Sequence, residues 1–122
     1  MVRIVGVQRS LDVAQEFILL QNQGAMRVCL RGHAVMAESA LGTDSPAAAF
    51  VIPDVIDLMP GQYALVRTGR GRAKWSHTED GLHIYYTYMG RDLPIWAGQE
   101  GPFHLLAPQH SYCDQIREVV AV

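Results

Sequence analysis

Apolar residues occur along the chain in short runs that are separated by clusters of glycine, proline, asparagine and aspartate. This pattern is typical of many short β-strands and not of long helices. The predicted strands are residues 2–7, 16–21, 27–36, 50–52, 62–67, 82–88, 95–96, 103–106 and 113–120, the last of which could also form a short helix. About seven to nine strands in 122 residues predict an all-β fold, specifically an immunoglobulin-like antiparallel β-sandwich.

Three local patterns refine this prediction. The run Phe17-Ile18-Leu19-Leu20 is apolar on both faces of a strand, so it lies in the centre of a two-layer core or against a neighbouring subunit. Residues 27–36 alternate and read as one half-buried strand, while Pro60-Gly61 favours a type II turn. Residues 68–81 form the longest predicted loop.

Length and composition predict one domain that spans residues 1–122. Apolar residues make up 49% of the chain and charged residues only 18%, which favours a homo-oligomer with a buried apolar face. The net charge of −2 gives no overall attraction to nucleic acid or anionic lipid, so any such binding must be local. Two cysteines do not make a disulfide framework, and we expect both to be buried as small apolar residues.

The first residues lack the apolar stretch and cleavage site of a secretory signal, and no window has about 20 consecutive apolar residues. We therefore expect a cytoplasmic protein with no membrane partner.

Several short motifs stand in an order that resembles the lamin-tail domain family, in particular its prokaryotic branch. They are Glu16-Phe17-Ile18-Leu19-Leu20-Gln21-Asn22-Gln23-Gly24, Val28-Cys29-Leu30-Arg31-Gly32, Leu58-Met59-Pro60-Gly61-Gln62-Tyr63, Thr68-Gly69-Arg70-Gly71 and Pro94-Ile95-Trp96. The resemblance covers roughly residues 4 to 116, and His33 stands where the family usually has tryptophan. It implies an immunoglobulin-like sandwich that serves as an interaction module, as lamin tails do toward chromatin and partner proteins.

The apolar and aromatic residues suggest where such a module would meet a protein partner or a second copy of itself. Tyr86 shares a strand face with Tyr88, while Tyr85 points to the opposite face. Exposed tyrosines offer a large contact area at a small entropic cost, although packing in the core also explains them. The predicted interface residues are Phe17, Leu19 and Tyr85.

A second candidate surface is the basic loop. Four cations within eight residues lie in a glycine-rich segment that precedes Trp75, namely Arg67, Arg70, Arg72 and Lys74. Such a loop could hold phosphates while Trp75 stacks on an exposed base. The alternative is a solvated basic loop whose charge is balanced by nearby carboxylates, namely Asp54, Asp57, Glu79 and Asp80.

Catalytic and metal-binding patterns are weak. Two groups could supply metal ligands, but neither has a known ligand spacing: His77, Glu79, Asp80 and His83, then His104, His110 and Cys113. Ser76 beside His77, and Ser111 beside His110, point to opposite faces of an extended chain, so neither pair is a nucleophile with its base. Asp54 and Asp57 are expected to cap turns.

The sequence therefore predicts a binding module with no catalytic site, metal, cofactor or small-molecule substrate. The first hypothesis is protein–protein binding or self-association, and the alternative is binding of a nucleic-acid backbone through the basic loop. A third hypothesis, of a different class, is a small hydrolase with a His-centred site.

Overall fold

The computed structural model describes residues 1–38, 48–99 and 101–108. This part of the chain contains ten strands and no α-helix. The strands are β1 (Val2–Gln8), β2 (Phe17–Asn22), β3 (Val28–Cys29), β4 (Ala34–Ala37), β5 (Ala49–Val51), β6 (Asp57–Leu58), β7 (Tyr63–Arg67), β8 (Lys74–His77), β9 (His83–Tyr88) and β10 (Phe103–Leu106). The all-β sandwich predicted from the sequence is confirmed, with two strands of only two residues raising the strand count above nine.

A five-stranded sheet in the order β1-β2-β7-β9-β8 packs against a three-stranded sheet in the order β10-β4-β5, and β3 pairs with β6. All neighbouring strands are antiparallel except β7 and β9, which run parallel. The parallel pair arises because the chain leaves β7 for the edge of the sheet, forms β8 there and turns back as β9 between the two. This one parallel pair departs from the antiparallel pairing that the sequence predicted.

The core lies between the two sheets. Alternate residues of β2, β7 and β4 are buried in it, because successive side chains of a strand point to opposite faces. They are Ile18, Leu20, Ala64, Val66, Val35 and Ala37. Trp96 is 1% exposed and packs edge-on against the Phe103 ring, with 5.0 Å between ring centroids.

The single strand predicted at residues 27–36 is wrong. Gly32 has a φ of +88°, and the backbone N–H of His33 donates to the carbonyl of Leu30 at 3.1 Å, which makes a turn between β3 and β4. Leu30 and His33 are therefore both buried, although strict alternation would place them on opposite faces.

The long loop predicted at residues 68–81 is also wrong, because it contains β8. A tight turn follows β8, in which the N–H of Thr78 donates to the carbonyl of Leu82 at 2.9 Å. The strand predicted at residues 95–96 is wrong, because these residues form no strand.

The type II turn predicted at Pro60-Gly61 is confirmed. Gly61 has a φ of +87°, and the N–H of Gln62 donates to the carbonyl of Met59 at 3.0 Å. The strand predicted at residues 113–120 lies outside the described residues.

Candidate binding surface

The side of the five-stranded sheet that faces away from the three-stranded sheet is called the outer face here. Residues that pair directly across neighbouring strands share one face, so the register defines its members. They are Arg3, Gly6 and Gln8 of β1, Phe17, Leu19 and Gln21 of β2, Tyr63, Leu65 and Arg67 of β7, Ile84, Tyr86 and Tyr88 of β9, and Lys74 and Ser76 of β8.

The centre of the outer face is apolar and aromatic. Leu19, Leu65 and Tyr86 lie side by side in one row across β2, β7 and β9. Leu65 is 8% exposed. Leu19 and Tyr86 are half-buried, so part of each of these two side chains is exposed to solvent. Phe17, Tyr63 and Tyr88 flank this row and are half-buried as well. The result is a sheet surface with four partly exposed aromatic rings.

The charged strand residues of the outer face, as far as the structure describes them, have one sign. Three of the residues named above are cations, Arg3, Arg67 and Lys74, and none is an aspartate or a glutamate. The chain as a whole has 12 acidic and 10 basic side chains, so this distribution is uneven. Arg67 is held in place, since its Nη1 donates to the carbonyl of Ala14 at 3.1 Å and its Cζ lies 5.9 Å from the centroid of the Phe17 ring.

The glycine-rich segment between β7 and β8 runs back over this face. The backbone of Gly71 packs against the Tyr88 ring so closely that any side chain there would displace the ring. Arg72 follows directly and is exposed. Arg70 instead forms two bonds with Asp92, from Nε at 2.8 Å and from Nη2 at 3.2 Å. These bonds and the charge of Arg70 lower the pKa of the Asp92 carboxyl, so the two groups form an ion pair at the surface.

The inner face of β9 is different. Tyr85 is 7% exposed, and its hydroxyl donates to Oδ2 of Asp54 at 2.7 Å. The same oxygen accepts a bond of 3.0 Å from the Thr87 hydroxyl. Burial, followed by the bond to Asp54 and the charge of that carboxylate, raises the pKa of Tyr85 to about 12. Trp75 of β8 lies beside Tyr85, with 5.3 Å between ring centroids.

The structure divides the predicted site residues between these two faces. Phe17 and Leu19, proposed as one interface, share the outer face with Arg67 and Lys74 from the basic loop. Tyr85 and Trp75 lie on the opposite face and do not belong to this surface.

Two expectations about carboxylates are wrong. The acid that balances Arg70 is Asp92, which is none of the four predicted. Asp54 accepts bonds from two side-chain hydroxyls, and among the described residues no backbone N–H of a turn donates to it.

The sequence did not single out Glu16, yet its side chain is fully buried. Its Oε1 accepts bonds from the Thr68 hydroxyl at 2.8 Å, from the N–H of Ile95 at 2.9 Å and from the N–H of Trp96 at 3.0 Å. The carboxylate thus joins the start of β2 to the end of β7 and to the segment before β10. A glutamate beside an apolar run is ordinary in sequence, and only the long-range contacts reveal this role.

Asn22 has a similar role at the other end of β2. It is fully buried, and its Nδ2 donates to the carbonyls of Met26 at 2.8 Å and Leu58 at 2.9 Å. Its Oδ1 accepts from the N–H of Gly24 at 3.0 Å. The Asn-x-Gly motif therefore anchors a turn to β6, which gives a physical reason for one of the family-like patterns.

The histidines that the structure describes do not form a conventional metal site. Within the described ranges, no three or more histidine, cysteine, aspartate or glutamate side chains lie close enough to hold a metal ion. His77 and His83 do come together, whereas His110 and Cys113 lie outside those ranges. His33 is buried, and this desolvation lowers the pKa of its imidazole, whose Nδ1–H donates to the Leu30 carbonyl at 3.0 Å. Cys29 is exposed, contrary to the predicted burial.

Comparison with known proteins found no matching family model, no matching curated protein and no matching solved structure. The resemblance to lamin-tail domains therefore stays a prediction from the sequence. No helix in the described part of the chain is long and apolar enough to cross a membrane.

Proposed function

We propose that this chain is a non-catalytic binding module, of the kind that the lamin-tail resemblance implies, and that its outer face binds single-stranded nucleic acid. The observation that supports the proposal most is the composition of this face. Phe17, Tyr63, Tyr86 and Tyr88 are partly exposed there among cations, and no strand residue of the face is a carboxylate.

Partly exposed aromatic rings on a sheet suit unpaired bases. Every base has a π-face that can stack on tyrosine or phenylalanine, so such binding tolerates many sequences. Tyr86 and Tyr88 are two positions apart on β9 and lie about 7 Å from each other along the strand. That spacing leaves room for one base on the Tyr86 ring and a second at the exposed part of the Tyr88 ring, against which Gly71 packs.

The cations are placed to meet the phosphates. Lys74 neighbours Tyr86 across β8 and β9, and Arg67 neighbours Tyr88 across β7 and β9. Phosphate binding by such residues releases counterions and gives an affinity that falls with salt. Arg72 adds a further exposed cation next in sequence to Gly71, which packs on Tyr88, while Arg70 is engaged by Asp92.

Self-association through Phe17 and Leu19 is the alternative function, since the centre of the face is apolar. A symmetric dimer would place the same surface of two copies against itself. The charged strand residues of the face, Arg3, Arg67 and Lys74, are all cations, so two copies packed face to face would bring like charges together without an acid of these strands to pair them, and this is costly. The charge pattern therefore favours an anionic partner.

The test is a fluorescence-anisotropy titration of labelled single-stranded DNA and RNA at several salt concentrations. We expect Tyr86→Ala to weaken binding by about 1–3 kcal/mol, the usual loss for one stacked base. We expect Lys74→Gln to reduce the slope of log affinity against log salt by about 0.7, the contribution of one phosphate contact on a single strand.

Matched controls lie elsewhere on the molecule. Trp75→Ala removes a partly exposed ring from the opposite face, and Arg31→Gln removes an exposed cation from the turn between β3 and β4. Both should bind like the wild type. Absence of binding at low salt would contradict the proposal. Tighter binding to an acidic polypeptide than to the oligonucleotide would indicate a protein partner, and a dimer by light scattering that Leu19→Glu dissociates would indicate self-association.

A further inference from the structure

On the opposite side of the sheet, two histidines form the last pair of the β8–β9 ladder. His77 lies directly across from His83, and their rings are 4.2 Å apart between centroids, with 79° between the ring planes. Both residues are exposed. We propose that this pair binds a divalent transition-metal ion, with both imidazoles as ligands and water in the remaining positions.

The backbone beneath the pair is well fixed. The turn that joins the two strands is closed by the bond from Thr78 to Leu82, by a bond of 3.0 Å from the N–H of Gly81 to the carbonyl of Thr78, and by a bond of 3.1 Å from the N–H of Leu82 to the Thr78 hydroxyl. Gly81 has a φ of +80°, which a tight turn of this kind uses. The two Cα atoms are therefore held opposite each other, and the exposed rings need only rotate to face one ion.

The ligand type determines the class of metal. Neutral imidazole suits zinc, copper and nickel, whereas magnesium and calcium prefer oxygen ligands. The described residues offer no third histidine, cysteine or carboxylate close enough to join the pair, so the site is a two-ligand chelate that leaves positions open. We expect copper(II) to bind more tightly than nickel(II) or zinc(II), and magnesium not to bind.

This site is independent of the proposed nucleic-acid surface. His77 and His83 share the inner side of the sheet with Trp75 and Tyr85, while Lys74 and Tyr86 lie on the outer side. Metal binding can therefore be measured without any oligonucleotide, and neither proposal depends on the other.

The test uses untagged, metal-free protein titrated with zinc(II) and copper(II). Calorimetry measures the affinity for each ion, and long-range ¹H–¹⁵N spectra of the histidine rings with diamagnetic zinc(II) identify the ligands. We expect one ion per chain, with shifts at His77 and His83, and loss of that binding in both His77→Asn and His83→Asn. His104→Asn, which changes a half-buried histidine of β10, should bind like the wild type.

Backbone amide spectra of each variant show whether it is folded. The proposal is overturned if the wild type binds neither ion saturably, or if folded His77→Asn or His83→Asn retains the wild-type affinity. Equal losses in His104→Asn would also overturn it, because the ion would then be held elsewhere.

Discussion

The two faces of strand β9 carry tyrosines in two different environments, one buried and one partly exposed. On the inner face the Tyr85 hydroxyl is 2.7 Å from Asp54, and the ring is nearly buried. On the outer face Tyr86 and Tyr88 are half-buried beside cations, and no carboxylate is among the strand residues of that face. A single alternation along one strand thus separates one buried, hydrogen-bonded tyrosine from two tyrosines that are partly exposed.

The same division applies to β2 and the residue before it. Glu16 points inward and is fully buried, whereas the next residue, Phe17, points outward under Arg67. Substitutions on the inner side should therefore change stability, and substitutions on the outer side should change affinity.

The largest effect on stability is expected for Glu16→Ala. The substitution leaves the Thr68 hydroxyl and the N–H groups of Ile95 and Trp96 without their acceptor, and each buried unpaired donor costs about 1–3 kcal/mol. Chemical denaturation should show a loss of at least about 3 kcal/mol in the free energy of unfolding. Glu16→Gln keeps an acceptor oxygen and should lose less.

The exposed Glu79→Ala serves as the control for Glu16→Ala, and its unfolding free energy should stay within about 0.5 kcal/mol of the wild type. Equal stability of the Glu16→Ala and Glu79→Ala variants would show that the buried carboxylate does not join these segments.

A smaller effect is expected for Tyr85→Phe, compared with Tyr86→Phe on the other face. Tyr85→Phe removes a hydrogen bond to a carboxylate, a contact usually worth about 1.5–3 kcal/mol. Tyr86→Phe keeps the outward ring and should change stability by less than about 0.5 kcal/mol. Equal losses of stability in Tyr85→Phe and Tyr86→Phe would contradict this difference between the inner and outer faces.

The alkaline titration of Tyr85 should report the same contact. Its pKa is raised from 10 to about 12 in the folded protein, so the protonated hydroxyl stabilises the fold. This contribution is complete below pH 10 and is lost as the pH rises through about 12, because the unfolded chain releases the proton first.

Carbon-13 spectra of the tyrosine Cζ atoms would follow the titration. Asp54→Asn should lower the pKa of Tyr85 but leave it above 10, since burial is the largest cause of the shift. An ordinary pKa in the wild-type protein would contradict the contact.

The sequence predicted the parts of the fold that local patterns determine. The bounds of β10 were predicted without error, and those of β1, β2 and β7 to within a residue at either end, because each is an apolar run between turn residues. The break at Gly32 was missed because the residues around it keep the alternation of a strand. β8 was missed because Lys74, Ser76 and His77 are polar and exposed or half-buried at a sheet edge.

The candidate surface could be predicted only in pieces. Phe17 and Leu19 were identified as one candidate, and Arg67 and Lys74 as another. What unites them is the insertion of β9 between β7 and β8 and the pairing of β7 with β2. That strand order depends on contacts between residues far apart in sequence, which no local pattern records.

The most direct test of the central claim is to map where a single-stranded oligonucleotide touches the ¹⁵N-labelled protein by amide and side-chain chemical-shift changes. We expect the changes to concentrate on the outer face, at Leu19, Arg67, Lys74, Tyr86 and Tyr88, and to spare Val35 and Leu105 on the three-stranded sheet. Changes centred on the three-stranded sheet, or none at saturating oligonucleotide, would contradict the claim.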